Sequence, residues 1–229
     1  METRDYSIFK KLPGNREVSI ESGLIDSMKS NGYLKQYPIL VDSEMRIIDG
    51  QHRLIAAKEL NLPVSYESVE LTLAEAMEFA IKVNGAGKGS WKLKDYIHMN
   101  ACLGKECYKV IEEIEELYAF GTSQTISIVT GWDTATKMIK TGEEFVINPN
   151  KDKIVSFILL AKEILPFWRS AIFVRSVCHL YRQATEEQII KITSNMISIK
   201  QQVDIPNYMT VFENIINKRS GRGIKVSFN

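Results

Sequence analysis

The sequence of 229 residues has few cysteines and no long apolar run, and each absence excludes a class of protein. Its three cysteines are odd in number and include no Cys-x-x-Cys pair, so neither a disulfide framework nor a zinc site is predicted. No stretch approaches the roughly 18 consecutive apolar residues of a membrane span, so no membrane partner is expected. Residues 1–5 lack the basic start and apolar run of a secretory signal, which favours a cytoplasmic location.

Charge is distributed unevenly along the chain. Residues 1–150 carry 17 Lys and Arg against 22 Asp and Glu, whereas residues 151–229 carry 12 against 6. The formal net charge of +1 therefore combines an acidic part with a basic C-terminal third. A basic end is typical of polyanion binding, but solvated helix faces give the same excess, so charge alone leaves nucleic-acid binding open.

The spacing of apolar residues predicts a small region of alternating strands and helices, followed by helices alone. The predicted elements of the first region are strands over 6–10, 38–41, 45–48 and 64–69 and helices over 20–30 and 51–60. Because only a short polar connection separates residues 38–41 from 45–48, these two strands should form a hairpin. The fold class predicted is therefore α+β, with a small α/β domain preceding an all-helical one.

Three glycines within residues 84–90 interrupt the helical pattern and mark the predicted domain boundary. We expect the α/β domain to span residues 1–83 and the helical domain residues 91–229. Helices in the second domain are predicted over 92–102, 106–120, 123–130, 133–140, 153–165, 166–181, 185–199 and 207–218. Pro166 is expected in the first turn of its helix, where the missing N–H costs nothing.

The most informative segment is the junction at which a predicted strand ends at Asp49 and a helix starts directly after Gly50. A helix N-terminus offers unpaired N–H groups and the positive end of its dipole, and a glycine lets the backbone approach an anion. Arg53 can add a bidentate fork to phosphate oxygens, and His52 a second donor. These parts predict an anion site. The alternative is that Arg53 and His52 are surface residues on a first turn that Asp49 caps.

The run from Ile47 to Ala57, IIDGQHRLIAA, together with the preceding residues 32–39, resembles the signature of the ParB/sulfiredoxin superfamily. The corresponding turn is Gly-Glu-Arg-Arg in ParB proteins, where it takes part in binding CTP phosphates. It is Gly-Cys-His-Arg in sulfiredoxin and Asp-Gly-His-His-Arg in free-serine kinases of this fold. The resemblance covers residues 6–70 and implies that the phosphate-binding residues are Gly50, Gln51, His52, Arg53 and Arg16.

Departures from these relatives limit which reaction can be expected. Gln51 stands where sulfiredoxin has its nucleophilic cysteine, and because an amide cannot attack a sulfinyl phosphate, sulfinic-acid reduction is not predicted. Gln51 and His52 also replace the Glu and first Arg of the ParB turn. A kinase or nuclease would need a carboxylate to hold Mg²⁺ or accept a proton. Asp49 is the first candidate, with Glu17 and Glu21 further off; alternatively, Asp49 only caps its helix and Glu17 is solvated.

Residues 122–140 have the spacing of a helix-turn-helix, with a turn at Thr130-Gly131-Trp132. The second helix would present small polar and basic groups to a DNA groove and its phosphates, namely Thr134, Thr136, Lys137 and Lys140. A structural αα-hairpin gives the same pattern. ParB proteins place such a motif after their phosphate-binding domain, so the resemblance implies DNA binding.

The leading interpretation is therefore a ParB-like DNA-binding protein of phage or plasmid type, whose N-terminal pocket binds a nucleotide (CTP or ATP) or another phosphate. Mg²⁺ is a candidate cofactor. The alternative is an enzyme that uses the same pocket, a nucleotide triphosphatase, kinase or nuclease, with Asp49 and Glu17 as its catalytic residues. A third reading is a scaffold whose pocket has decayed. The sequence leaves catalysis and oligomeric state open, a homodimer included.

Overall fold

The structure, a computed structural model, describes residues 1–18, 22–85, 91–131, 135–218 and 225–228. The strands in these ranges are β1 (Glu2–Thr3), β2 (Lys10–Lys11), β3 (Ile39–Asp42), β4 (Arg46–Asp49) and β5 (Val64–Val69). The α-helices are α1 (Ser22–Asn31), α2 (Gln51–Glu59), α3 (Leu73–Gly85), α4 (Leu93–Cys102), α5 (Glu106–Tyr118), α6 (Thr122–Thr130), α7 (Thr136–Thr141), α8 (Lys151–Ile164), α9 (Ala171–Gln183), α10 (Glu186–Ser194) and α11 (Ile205–Asn217). Short 3-10 turns cover Tyr6–Ile8 and Met196–Ser198. The predicted α+β class, a small sheet region followed by helices, is confirmed.

Packing divides the chain into two compact units. The first comprises residues 1–109 and 138–143, and the second comprises residues 110–137 and 144–229. Residues 86–90 of the predicted boundary lie outside the described residues, so the domain limits of 1–83 and 91–229 stay a prediction. No helix in the described part of the chain is both long and apolar enough to cross a membrane.

The first unit contains a mixed five-stranded sheet with the order β1-β5-β3-β4-β2. β3 and β4 pair antiparallel, as predicted for a hairpin, and Val41 lies opposite Ile47. β3 also pairs parallel with β5, and β4 pairs parallel with the short β2. β4 is therefore an interior strand, and its C-terminal end at Asp49 leads directly into α2.

The core of the first unit lies between this sheet and its helices. Leu54, Ala56 and Ala57 are buried on one side of α2, together with Ile39 and Val64 of the sheet. α1 packs on α2, whereas α3 packs against β4. Burying this apolar surface stabilises the unit by about 25 cal/mol per Å². It also fixes the start of α2 beside the end of α3.

The second unit is helical and is built around α6. Every residue from Gln124 to Thr130 is buried, and α6 packs against α8 and α9. α11 packs against α9 and α10, and its Tyr208 joins a cluster of aromatic rings with Phe173 and Phe212. α6 is thus an interior helix of this unit.

The predicted starts of two elements differ from the structure. Residues 6–8 form a 3-10 turn rather than a strand, because the Asp5 carboxylate accepts hydrogen bonds from the backbone N–H and the hydroxyl of Ser7. Pro166 does not begin a helix; it lies in the turn after α8. α9 starts only at Ala171, where the Ser170 hydroxyl accepts from the Phe173 N–H as an N-cap.

Candidate functional site

The junction between β4 and α2 has the geometry that the sequence predicts for close approach of an anion. Gly50 is the N-cap of α2 and adopts left-handed backbone angles, with φ 99° and ψ 14°. Asp49 precedes the N-cap, and Gly50 itself has no side chain to cap the first turn. The first residues of α2, whose N–H groups have no acceptor within their own helix, line a cavity.

Arg53 is held in place by fixed acceptors on two sides. Its Nη2 donates to the Asp49 carboxylate at 2.8 Å and to the Pro38 carbonyl at 3.1 Å. The side chain is only 27% exposed, so Arg53 is not a solvated surface residue. Its Nε–H is buried and has no acceptor among the described residues. A guanidinium positioned in this way keeps donors for a further acceptor.

The Tyr33 phenol lies next to the Arg53 guanidinium. Its hydroxyl donates to the Tyr37 carbonyl at 2.9 Å. Burial raises the pKa of the Tyr33 phenol, an increase that the adjacent Arg53 guanidinium opposes and the Asp49 carboxylate reinforces. The tyrosine therefore stays protonated and neutral near neutral pH, and it supports Arg53 without neutralising its charge.

A second guanidinium, that of Arg16, lines the same cavity. Its Nη1 lies 3.9 Å from the Asp95 carboxylate, and both side chains are mostly buried. Asp95 is fixed in turn because it accepts the backbone N–H of Lys92 at 2.7 Å, at the start of α4. The preceding Asn15 is buried and donates to the Ile47 carbonyl at 2.8 Å, which ties this loop to β4.

These groups surround a cavity of about 100 Å³ in the first unit. Its walls are formed by Asn15, Arg16, Ile48, Asp49, Gly50, Gln51, His52, Arg53, Asn84 and Trp91. Pockets that hold complete drug-sized ligands measure roughly 300–1,000 Å³, so this cavity can enclose only a small group. His52 and Arg53 also line a second cavity, of about 300 Å³, whose lining is mainly apolar.

The structure brings together six of the predicted site residues. Arg16, Asp49 and the four residues of the turn, Gly50 to Arg53, all line the cavity. Glu17 does not line it: its side chain is 94% exposed and pairs with Lys11. Glu21 lies outside the described residues.

Sequence reasoning missed three residues of the cavity wall. Asn15 and Trp91 were not among the predicted site residues, and Asn84 lay only in the predicted domain boundary. Asn84 and Trp91 lie more than 30 residues beyond Arg53 along the chain. They reach the cavity in the folded unit, in which α3 packs against β4. Only the proximity of Asn15 to Arg16 was a usable signal in the sequence.

The predicted DNA-contacting residues fall on or near α7. Thr136, Lys137 and Lys140 are exposed, whereas Ala135 and Ile139 are buried. Thr134 lies outside the described residues. α7 spans six residues, shorter than the predicted helix over 133–140. DNA contact by these residues stays a prediction.

The cavity offers little to a metal ion beyond one carboxylate. Across the described ranges, no group of three or more His, Cys, Asp or Glu is placed to hold a metal. Mg²⁺ commonly takes one or two protein carboxylates together with phosphate oxygens and water. Asp49 could supply one such ligand to a magnesium that arrives with a phosphate.

The fold and the cavity define an α+β protein in which two arginines, a histidine and a helix N-terminus line one small pocket. No protein-family model and no curated protein matches the chain. Among solved structures, the chain is similar to one titled as a Pnob8-like ParB-N domain. The match has 14% sequence identity and a TM-score of 0.42, and it covers 94% of this chain and 96% of that chain. Values this low decide neither fold nor function, so the interpretation depends on the chain's own geometry.

Proposed function

We propose that the cavity at the start of α2 binds a phosphate group, either free or as part of a nucleotide. The observation that carries this proposal is the convergence of Arg16, His52, Arg53 and the N-terminal residues of α2 on one cavity. Each of these groups favours an anion, and phosphate accepts hydrogen bonds on several oxygens at once. Fixed partners hold both arginines, so little side-chain entropy is lost on binding.

The two carboxylates beside the arginines moderate this preference. Asp49 pairs with Arg53 and Asp95 with Arg16, so the cavity is not strongly cationic. A single phosphate group, with one or two negative charges, therefore suits the cavity better than a more highly charged group. The same pairing occupies an Asp49 oxygen, which disfavours Asp49 as a general base in the ligand-free protein.

Calorimetric titration with inorganic phosphate, pyrophosphate, CTP and ATP, with and without Mg²⁺, tests the proposal. Arg53→Gln should weaken binding by roughly 10- to 150-fold, because a hydrogen bond to a charged group contributes about 1.5–3 kcal/mol. Lys58→Gln is the matched control, because Lys58 lies exposed in the last turn of the same helix and should leave affinity unchanged. Absence of heat with all four probes, or equal losses in both variants, would contradict phosphate binding here.

We further propose that α7 contacts the DNA backbone. The exposure of Thr136, Lys137 and Lys140, opposite the buried Ala135 and Ile139, supports this role. Short polar and basic side chains on an exposed helix face are suited to phosphate contacts, which fix position without reading sequence.

A comparison of two double variants tests the DNA proposal. Lys137→Ala with Lys140→Ala should weaken duplex binding and reduce the slope of log affinity against log salt by about 2, because each lost phosphate contact removes close to one unit. Lys82→Ala with Lys94→Ala removes the same charge from exposed positions elsewhere and should change neither quantity. An equal effect of the two pairs would show that only net charge matters and would reject α7 as the contact.

A further inference from the structure

Trp91 lines the proposed phosphate cavity and is only partly buried. Its indole meets the Tyr96 ring in an edge-to-face contact, with centroids 5.1 Å apart and planes at 61°. Within the described part of the chain, no aromatic ring stacks parallel to the indole. An aromatic surface at the wall of a polar, arginine-lined cavity is unexpected if the cavity takes only an inorganic ion.

Local structure holds the indole in place. Lys92 is the N-cap of α4, so Trp91 and Tyr96 occupy the two positions of a hydrophobic staple. Tyr96 is 2% exposed, and its hydroxyl donates to the Asn84 carbonyl at 2.7 Å. The staple explains why an apolar residue is needed at position 91. Any large apolar side chain would serve that purpose, so the staple does not account for an indole.

The cavity volume sets where the rest of a phosphate ester must lie. At about 100 Å³ it can enclose a phosphate group but not a nucleoside as well. The organic part of an ester bound here must therefore emerge from the cavity. Trp91 lines this cavity and is partly exposed to solvent, so it is a candidate contact for the emerging group.

We propose that Trp91 is a specificity-determining residue of this site, on which the base of a bound nucleotide stacks. The inference rests on the proposed phosphate-binding function and adds to it a discrimination between nucleotides and free phosphate. Stacking of a base on an aromatic side chain contributes about 1–3 kcal/mol and tolerates any base, because every base has a π-face. The site therefore prefers nucleotides over pyrophosphate, with little preference among bases from this contact.

Two variants separate stacking from the staple. Trp91→Leu keeps an apolar staple residue but removes the ring, and Trp91→Phe keeps a smaller ring. We expect Trp91→Leu to weaken CTP and ATP binding by roughly 5- to 150-fold while the affinity for pyrophosphate changes less than about twofold. Trp91→Phe should retain an intermediate affinity for both nucleotides. Thermal unfolding of each variant without ligand checks that the fold is kept.

Fluorescence gives a readout that a merely structural tryptophan would not show. In a variant with Trp132→Phe and Trp168→Phe, emission from Trp91 should be quenched by CTP or ATP and unaffected by pyrophosphate. If nucleotides bind to Trp91→Leu as tightly as to the wild type, the stacking role is wrong although phosphate binding stands. If neither pyrophosphate nor nucleotides bind the wild-type protein, the proposed function itself fails and the role of Trp91 fails with it.

Discussion

At the scale of single residues, the backbone conformation of Gly50 affects the stability of the protein. Its φ of 99° is in the left-handed region, and an added Cβ would lie 3.0 Å from the Arg53 Nη2 and 3.2 Å from the Ile39 Cα. The Ile39 backbone cannot move aside as a side chain end can. We therefore expect Gly50→Ala to lower the free energy of unfolding by about 1–3 kcal/mol.

Urea denaturation of Gly50→Ala beside Gly23→Ala gives a matched comparison. Gly23 lies within α1 without a positive φ, and a Cβ there meets no atom within 4 Å. Alanine at Gly23 should stabilise the protein by up to about 1 kcal/mol, because alanine loses less backbone entropy in a helix. Equal effects at the two glycines would show that the conformation at the start of α2 is unstrained for alanine.

The Asp49 carboxylate gives a second prediction at this scale. In Asp49→Asn, the negative charge beside Arg53 disappears, so inorganic phosphate without Mg²⁺ should bind more tightly, by roughly fivefold or about 1 kcal/mol. Stability should fall by less than about 1 kcal/mol, because the side chains of the pair are 41% and 27% exposed and solvent screens them.

Calorimetry on Asp49→Asn separates the two candidate roles of this residue. Weaker phosphate binding in the absence of Mg²⁺ would show that Asp49 organises Arg53 more than it repels the ligand. Loss of a turnover activity seen in the wild-type protein, with binding retained, would instead support the alternative of a phosphoryl-transfer enzyme.

Only some residues of the cavity could be predicted from the local sequence. The turn from Gly50 to Arg53 could be predicted because strand end, glycine and helix start are adjacent in the chain, so short-range rules fix their geometry. Asn84 and Trp91 reach the cavity through tertiary packing, which no local pattern encodes. The pairing of Arg53 with Asp49 was also missed: both residues were recognised, but each was assigned a separate partner.

At the scale of elements, α7 is short, and the residues at its C-terminal end accept hydrogen bonds from Tyr108 and Lys105, which belong to the first unit. The Tyr108 hydroxyl donates to the Glu143 carbonyl at 2.7 Å, and the Lys105 Nζ donates to the Gly142 carbonyl at 2.7 Å. A positive charge at this end also complements the helix dipole. A six-residue helix has little stability of its own, so these contacts account for much of its order.

Removal of one hydroxyl tests this anchoring. Tyr108 is fully buried, so Tyr108→Phe should lower the free energy of unfolding by about 1–2 kcal/mol by leaving the Glu143 carbonyl without its donor. Tyr37→Phe is the control, because Tyr37 is 58% exposed and its hydroxyl is accessible to water. Urea midpoints that shift alike in the two variants would mean that α7 does not depend on this bond.

Elements with strong local signals were predicted well, and the exceptions have physical causes. The strand over 64–69 and the helices starting at residues 51 and 106 agree with the structure, because their apolar spacing and end signals coincide. The predicted helix over 185–199 is instead α10 followed by a 3-10 turn at Met196–Ser198. β1 has only two residues, and its pairing with β5 could not be read from so short a pattern.

At the scale of the whole molecule, both units contain buried tyrosines that should make stability depend on alkaline pH. Burial raises the pKa of Tyr33 and Tyr96 in the first unit and of Tyr208 in the second. Burial also raises the pKa of Tyr181 in the second unit to about 12. In each case the folded state favours the protonated phenol more than the unfolded chain does.

The sign of the effect follows from proton linkage. Below a pH of about 10, the ordinary tyrosine pKa, the phenols are protonated in both states and this contribution to stability is fully present. As the pH rises, the unfolded chain loses its phenolic protons first, so stability falls progressively until the Tyr181 pKa of about 12 is passed. We expect urea midpoints to fall from about pH 10 upward. Tyr181→Phe should flatten that fall, because one phenol with a raised pKa is gone. A decline that begins well below pH 10, or a slope unaffected by Tyr181→Phe, would show that groups other than Tyr181 control alkaline unfolding.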